Sequence, residues 1–238
     1  MKKITISVLT FLLTLCVIGG TPNPVSDVVF KPTFLTGYDS LTAGTCFILA
    51  VDGKPVAITA HHLFGPAAGL EQDLTPEQAK DFVAAIALSS MNDHKHVLTS
   101  TNMVLLPSAH AFSGEDASKD VAAFMLNGYS GPTLKVATEA LKKGDVVYLY
   151  ARPRGEESLR IIAAKVERVA AGILEYTFDD GRFNLAGTSG APVLNQKGEV
   201  VAINLGGGEL KGRKFGFGNP ATSFMKLVSD AMNKGPGS

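Results

Sequence analysis

The stretch that decides the fold reads GTSGAP, at residues 187–192. A serine hydroxyl is a poor nucleophile at neutral pH, and it needs a neighbouring imidazole that takes its proton. Glycines around Ser189 let the backbone turn sharply and leave N–H groups that face a developing oxyanion. Further upstream, TAHH at residues 59–62 offers the imidazole. Together the two segments predict acyl transfer by a serine–histidine pair, with peptide hydrolysis as the leading candidate reaction.

The order of these residues along the chain narrows the fold. All five histidines precede Ser189, and the last of them is His110. An α/β-hydrolase needs a histidine after its nucleophile, and Ala191 stands where its G-x-S-x-G motif has the second glycine. The order His, Asp, Ser is that of the chymotrypsin arrangement.

The acidic member is expected between the histidine pair and the serine. Asp120 heads a short apolar run, KDVAAFML at residues 119–126, which predicts a buried strand. A carboxylate buried there would fix the tautomer of the imidazole and stabilise the imidazolium. Asp116 and Glu115 are the alternatives, but neither is followed directly by an apolar run.

With these blocks in place, the chain resembles the trypsin/chymotrypsin-fold serine peptidases. It is most similar to the disulfide-free bacterial branch that includes glutamyl endopeptidases and high-temperature-requirement proteases. The resemblance implies an all-β fold of two six-stranded-type β-barrels, with the site in the cleft between them. The matching segments are AGTCFIL (43–49), ITAHHL (58–63), KDVAAFML (119–126), KKGDVVYLYARP (142–153) and AGTSGAPVLNQKGEVVAINLGGG (186–208).

The histidine pair offers two candidates for the base. The family pattern T-A-x-H puts His62 in register, whereas His61 is the alternative, and either residue could instead lie on a surface turn. By match to the family motif, the oxyanion hole consists of the N–H groups of Gly187 and Ser189. Each such donor is typically worth a factor of about 10² to 10³ in rate.

The resemblance also assigns substrate-binding residues. Family register places Phe183, six residues before the nucleophile, at the base of the primary pocket, where it offers no carboxylate for a lysine or arginine side chain. The alternative is a shorter loop in which the register slips. The edge that pairs with the substrate backbone would be Asn204, Leu205 and Gly206. Glutamate preference in relatives relies on a histidine in the second barrel, and none follows His110, so glutamate specificity is not predicted.

The remaining sequence reads as mostly β. One helix is predicted between the candidate base and acid, with Thr75 as N-cap and Pro76 at the first helical position, continuing through AKDFVAAIAL at residues 79–88. A second helix with one apolar side is predicted at residues 222–233. Strands are predicted at residues 45–50, 54–59, 121–126, 145–151, 161–169, 172–178, 191–194 and 200–204.

The N-terminus has the pattern of a signal peptide. Residues 1–20 begin Met-Lys-Lys, continue with an apolar run over residues 4–18 and end in two glycines. Secretion or a periplasmic location is therefore expected after this segment is removed. The alternative is an uncleaved anchor, the one case in which membrane association is expected. The predicted divisions are a signal peptide at 1–20, a peptidase domain at 21–238, barrel one at about 30–130, barrel two at about 131–221 and a C-terminal helix at about 222–233.

Composition excludes several partners. The chain has 22 basic and 22 acidic side chains, so nothing indicates nucleic acid or a charged membrane surface, and a polypeptide substrate is the expected partner. Loss of the signal peptide leaves Cys46 as the one cysteine, so no intramolecular disulfide is possible. His94 and His96 lack a nearby cysteine or further histidine, so no metal or cofactor is expected.

Two classes of function stay open. The first is a secreted serine endopeptidase that uses His62, Asp120 and Ser189 through an acyl-enzyme intermediate. The second is a chymotrypsin-fold binding protein that has lost activity. An esterase on the same site would share the chemistry of the first class and differ in substrate. Retention of all three residue types favours the enzyme, because binding alone does not require them.

Overall fold

A computed structural model describes residue 21 and residues 27–92, 96–114 and 116–234. The predicted signal peptide, His94 and Glu115 lie outside these ranges. Within them the chain forms two sets of strands. The first set is β1 (Val29–Leu35), β2 (Ser40–Thr42), β3 (Cys46–Val51), β4 (Lys54–Thr59), β5 (Ala85–Ser90), β6 (Val97–Ser100) and β7 (Ala122–Met125). The second set is β8 (Val146–Ala151), β9 (Arg160–Ala170), β10 (Ile173–Phe178), β11 (Pro192–Leu194), β12 (Val200–Leu210) and β13 (Arg213–Pro220).

The first set forms one curled sheet in the order β6-β5-β1-β3-β4-β7, with β2 paired to β1. Its two ends meet through the segment that follows β6. Met103 forms an isolated antiparallel bridge with Phe124 of β7. The N–H of Val104 donates to the carbonyl of Ala123 at 2.9 Å. The sheet thus wraps around a core that includes Phe30, Phe34, Phe47, Phe64 and Phe124.

The second set closes into a barrel in the order β10-β13-β12-β11-β8-β9. Its core holds Tyr176, Phe178 and Phe183 among smaller aliphatic residues. Each of the six strands has a neighbour on both sides, so the barrel has no edge strand, although β12 extends past the end of the shorter β11. The predicted fold class, two chymotrypsin-type β-units with a C-terminal helix, is confirmed.

The helix predicted between the candidate base and acid begins where it was predicted, but it ends earlier. α1 (Pro76–Phe82) begins with a capping box in which the Thr75 hydroxyl accepts from the N–H of Gln78. It stops at Phe82, and residues 85–90 form β5, paired antiparallel with β1. The residues of β5 alternate between half-buried and buried, which is the period of a strand.

The C-terminal helix, α2 (Ala221–Asn233), matches its prediction within one residue at its start. Its apolar side buries Phe224 and Val228 against β3, β12 and β13, so it ties the two units together. No helix among the described residues has the length and apolar character needed to cross a membrane.

Candidate active site

The candidate base and acid are brought together by the pairing of two strands. β4 and β7 are antiparallel, with Thr59 opposite Ala122. The end of β4 therefore lies beside the start of β7. His62 stands in a 3₁₀ turn directly after β4, and Asp120 stands two residues before β7. The antiparallel register alone places the two side chains at one end of the first unit.

The contact between them is short and reinforced by the backbone. The Nδ1 atom of His62 lies 2.8 Å from Oδ2 of Asp120. The N–H of His62 donates to the other carboxylate oxygen at 3.0 Å, and the N–H of Phe112 donates to Oδ2 at 2.9 Å. With the carboxylate ionised, the ring proton sits on Nδ1 and leaves Nε2 as the basic atom.

Asp120 is fully buried, and its ionised form is nevertheless the favoured one. Burial by itself raises the pKa of this carboxyl, since the charge is removed from water. The hydrogen bonds and positive charge of His62, with the N–H of Phe112, outweigh burial and bring the pKa below its usual value. The carboxylate therefore stays charged where it can hold the imidazole and stabilise the imidazolium.

A side chain of the other unit holds the backbone around Asp120. Asn219 of β13 is buried, and its Nδ2 donates to the carbonyl of Ser118 at 3.0 Å and more weakly to that of Asp120 at 3.4 Å. These bonds fix the backbone before β7 against the second barrel. Nothing in the sequence of β13 indicated this role, because the residues are about a hundred positions apart in the chain.

Ser189 stands on the loop before β11 and faces the first unit. Its carbonyl accepts from the N–H of Thr45 at 2.7 Å, which joins the two units at the site. Its hydroxyl donates to the carbonyl of Leu205 at 3.1 Å, and among the described residues it makes no hydrogen bond with His62. Rotation about the Cα–Cβ bond moves a serine hydroxyl between staggered positions, and catalytic hydrogen bonds often tighten only with substrate.

The loop around Ser189 requires glycine. Gly187 and Gly190 have φ values of +84° and +86°, which favour a residue without a Cβ. A Cβ on Gly190 would lie 2.1 Å from the carbonyl oxygen of Thr45. This close approach allows the serine loop to pack against Thr45, directly before β3, and against Thr59 at the end of β4.

The two candidate oxyanion donors are the backbone N–H groups of Gly187 and Ser189. Across the described residues, the N–H groups of Gly187 and Ser189 form no hydrogen bond. Gly187 is exposed and Ser189 is half-buried, so both residues reach the protein surface. Unpaired N–H donors beside a serine hydroxyl are suited to receive a carbonyl oxygen that gains negative charge.

The other histidine of the pair is engaged elsewhere. His61 is 2% exposed, and its Nε2 lies 2.8 Å from the carbonyl oxygen of Leu74. Its ring also meets the ring of Phe64 edge to face at 5.7 Å. Burial lowers the pKa of His61, which keeps the imidazole neutral. This residue therefore packs the core of the first unit.

Asp116 lies away from the base. Its Oδ1 accepts from the N–H of Ser118 at 2.8 Å, and the residue is exposed. The side chain rests beside Gly172, where an added Cβ would come within 2.3 Å of Oδ1. The competing assignment of Asp116 as the acid is not supported by these contacts.

Phe183 is located in the core of the second barrel. Its ring packs edge to face on Phe178 at 4.9 Å and is 6% exposed. Lys214 lies over the ring at 5.2 Å and donates to the carbonyl of Phe183. Its assignment to the base of the primary pocket stays a prediction, and any contribution would come through the small exposed part of the ring.

The predicted substrate-pairing edge begins one residue too early. Asn204 is fully buried, its N–H donates to the carbonyl of Ala191 at 2.8 Å, and its carbonyl accepts from Gly190 at 2.7 Å. Both backbone groups are therefore used inside the barrel, and this residue is not available to a substrate backbone. Leu205 and Gly206 lie past the last pairing of β11 with β12, where that edge of β12 is open.

The family is shown by comparison with known proteins. The profile of the trypsin-like peptidase domain matches residues 44–203, which is well over half of the chain. The chain therefore belongs to the trypsin-like peptidase domain family. It is a serine-type peptidase, and polypeptides are the substrate class that this family implies. No curated protein matches the chain.

Solved structures support the same fold. A serine endoprotease from Yersinia pestis has 18% identity and a TM-score of 0.60 over 87% of this chain, which spans 64% of that protein. The active form of the Rv3671c protease from M. tuberculosis has 16% identity and a TM-score of 0.57, over 95% and 94% of the two chains. The thermostable serine protease AL20 from an extremophilic microorganism has 16% identity and a TM-score of 0.60, over 87% and 98%. At such low identity the likeness shows the fold.

Proposed function

We propose that the protein is a secreted serine endopeptidase in which Ser189 is the nucleophile, His62 the general base and Asp120 the acid that orients the base. One observation carries the proposal. The ring of His62 is held at 2.8 Å by a buried, ionised carboxylate, and the loop that packs against Thr59 of the preceding strand carries Ser189 and two unpaired N–H donors. A neutral imidazole in this setting is a competent base for a serine hydroxyl.

Acylation starts when the Ser189 hydroxyl turns from the carbonyl of Leu205 toward Nε2 of His62. The imidazole takes the proton as Oγ bonds to the scissile carbonyl carbon, and Asp120 stabilises the imidazolium. The carbonyl oxygen becomes an oxyanion and accepts from the N–H groups of Gly187 and Ser189. His62 then protonates the amine, the C–N bond breaks, and an ester to Ser189 remains.

Deacylation repeats the sequence with water. His62 takes a proton from the water as the water oxygen bonds to the acyl carbon. The same N–H groups donate to the second oxyanion. The ester bond breaks, and the proton returns to Ser189. One water is consumed, and the products are an amine and a carboxylic acid.

Internal bonds are the proposed targets because the open edge of β12 recognises backbone. Beyond Asn204, β12 is paired with β13 on one side, while its other side has lost β11. An extended substrate segment that adds to Leu205 and Gly206 would form main-chain hydrogen bonds, which do not require a chain terminus.

The proposal of secretion is supported by the basic start and apolar run of residues 1–20.

The inactive binding protein is kept as an alternative because of one observation. The Ser189 hydroxyl donates to Leu205 and not to the imidazole. A nucleophile fixed in that position would not transfer its proton. The esterase alternative uses the same steps and differs in the leaving group, so comparing matched peptide and ester substrates separates it.

Replacement of Asp120 by asparagine tests the proposed mechanism. Wild-type protein is expected to hydrolyse peptides from a library, and Asp120→Asn to keep the fold but lower turnover by about 10⁴-fold, because the amide favours the wrong imidazole tautomer. Residual turnover should recover as pH rises, since the base then depends less on its partner. The measurement is the pH profile of kcat for both proteins. Equal profiles would rule out the assigned role of Asp120.

A further inference from the structure

The orientation of each candidate oxyanion donor is set by the carbonyl of the same peptide unit. In a trans peptide the C=O and N–H groups point in opposite directions, and the described residues contain no cis bond. The N–H of Ser189 therefore points away from the carbonyl of Thr188, and that of Gly187 points away from the carbonyl of Ala186. A group that holds either carbonyl also aims the donor behind it.

The carbonyl of Thr188 is held by the N–H of Ala191, which donates to it at 3.0 Å, and by a buried side-chain amide. Nδ2 of Asn204 donates to this oxygen at 2.9 Å and to Oγ1 of Thr188 at 3.0 Å. The Tyr176 hydroxyl donates to Oδ1 of Asn204 at 2.6 Å, which fixes which end of the amide faces Thr188. All three side chains are fully buried, so no water competes for these bonds.

The carbonyl of Ala186 is held by a backbone donor from another loop. It accepts from the N–H of Arg154 at 3.0 Å. Arg154 occupies the second position of a turn that closes from Glu156 N–H to the carbonyl of Pro153 at 3.1 Å. Gly155 has a φ of +91° and Arg154 does not have a positive φ, a combination that matches a type II turn and not type I′.

The peptide between the two donors is fixed as well. The hydroxyl of Thr45 donates to the carbonyl of Gly187 at 2.7 Å, and the N–H of Thr188 donates to the carbonyl of Leu185 at 3.1 Å. Three successive peptide units are thus each held by a bond to their carbonyl. The unpaired N–H groups of Gly187 and Ser189 are what this arrangement leaves free.

We propose that Asn204 and the N–H of Arg154 are the positioning groups of the oxyanion hole, and that Tyr176 orients Asn204. The inference rests on the proposed function and deepens it. Donors that are already aimed need no reorganisation as charge develops, which is the source of their catalytic value. A carbonyl that accepts a hydrogen bond also polarises the N–H of its own peptide and strengthens it as a donor.

The hydrogen bond from the N–H of Arg154 to the carbonyl of Ala186 is tested by two variants, of which one keeps this N–H and the other lacks it. Arg154→Pro removes the donor, and proline suits the second position of a type II turn, so the loop is preserved. Arg154→Ala loses the same side chain but keeps the N–H. We expect kcat of the proline variant to lie about tenfold to a hundredfold below that of the alanine variant, less than for a lost donor. KM should agree within about twofold.

The Asn204 bond is tested in the same way. Asn204→Leu keeps the approximate size and removes the side-chain donor to Thr188, while the N–H of Ala191 still donates to that carbonyl. A loss of kcat of about tenfold to a hundredfold is expected. Tyr176→Phe should give a smaller loss in the same direction. Tyr148→Phe is the matched control, because Tyr148 is a buried tyrosine on β8 of the same barrel whose hydroxyl forms no hydrogen bond with the described residues, and it should leave kcat unchanged.

A transition-state analogue separates positioning from general destabilisation. Peptide trifluoromethyl ketones add the serine oxygen and form a charged tetrahedral adduct, so their affinity should fall in proportion to kcat. The affinity of the cleaved peptide product, which carries no such adduct, should not change. Both affinities are measured on folded protein. If Asn204→Leu does not fold, the comparison of Arg154→Pro with Arg154→Ala tests the inference.

The outcomes are distinct. Parallel losses of kcat and analogue affinity in Arg154→Pro and Asn204→Leu support the inference. Equal kcat in Arg154→Pro and Arg154→Ala, or a rise in KM at constant kcat, overturns it while wild-type turnover keeps the proposed function intact. A folded wild-type protein without peptide hydrolysis defeats the proposed function, and the inference falls with it.

Discussion

Replacement of Ser189 by alanine is expected to lower turnover by about a millionfold, as the loss of the nucleophile does in other serine peptidases. In the proposed mechanism the oxygen of this hydroxyl is the atom that bonds to the substrate carbonyl carbon. Stability should change little, because within the described part of the chain the hydroxyl makes a single hydrogen bond, to the carbonyl of Leu205. The measurement is kcat on a peptide that wild-type protein cleaves, with thermal unfolding recorded beside it.

Ser130→Ala serves as the control for this variant. Ser130 is exposed on the segment between the two units, so its loss should leave both turnover and unfolding temperature unchanged. Turnover by Ser189→Ala within about tenfold of wild type would show that another group performs the chemistry.

Replacement of His62 by alanine should cost about as much as loss of the serine, because the two residues act as one unit. His61→Ala should keep most of the turnover. Its imidazole is bound to the carbonyl of Leu74, so the variant should lose stability, by about 1–3 kcal/mol for a buried acceptor left unpaired. Turnover and urea unfolding of the two variants separate the roles, and reversed results would show that the T-A-x-H register is wrong by one residue.

The candidate site was predictable where chemistry constrains neighbouring residues. The serine loop requires glycine at Gly187 and Gly190 because their backbone has positive φ or approaches another strand closely. Asp120 could be proposed as the acid because it precedes an apolar run that predicts a buried strand, and residues 122–125 form that strand. Strand pairing then places it beside His62 without further information.

The features that the sequence did not predict depend on contacts between distant segments of the chain. A run such as Ala85–Ser90 is too short for its apolar pattern to distinguish a helix from a strand, and pairing with β1 decides. The bond between Tyr176 and Asn204 joins strands that become neighbours only when the barrel closes. The burial of Asn204 likewise cannot be predicted from the sequence, because it follows from hydrogen bonds with Ala191 and Gly190. The sequence therefore predicted Asn204 as part of the substrate-pairing edge.

The central claim, that His62 activates Ser189, is tested most directly by covalent labelling. A fluorophosphonate reacts with a serine hydroxyl that a neighbouring base has activated, and peptide mass spectrometry locates the adduct. We expect one adduct on Ser189 of folded wild-type protein, none in Ser189→Ala and strongly slowed labelling in His62→Ala. An adduct on a different serine, or no adduct on the folded wild-type protein, would contradict the account.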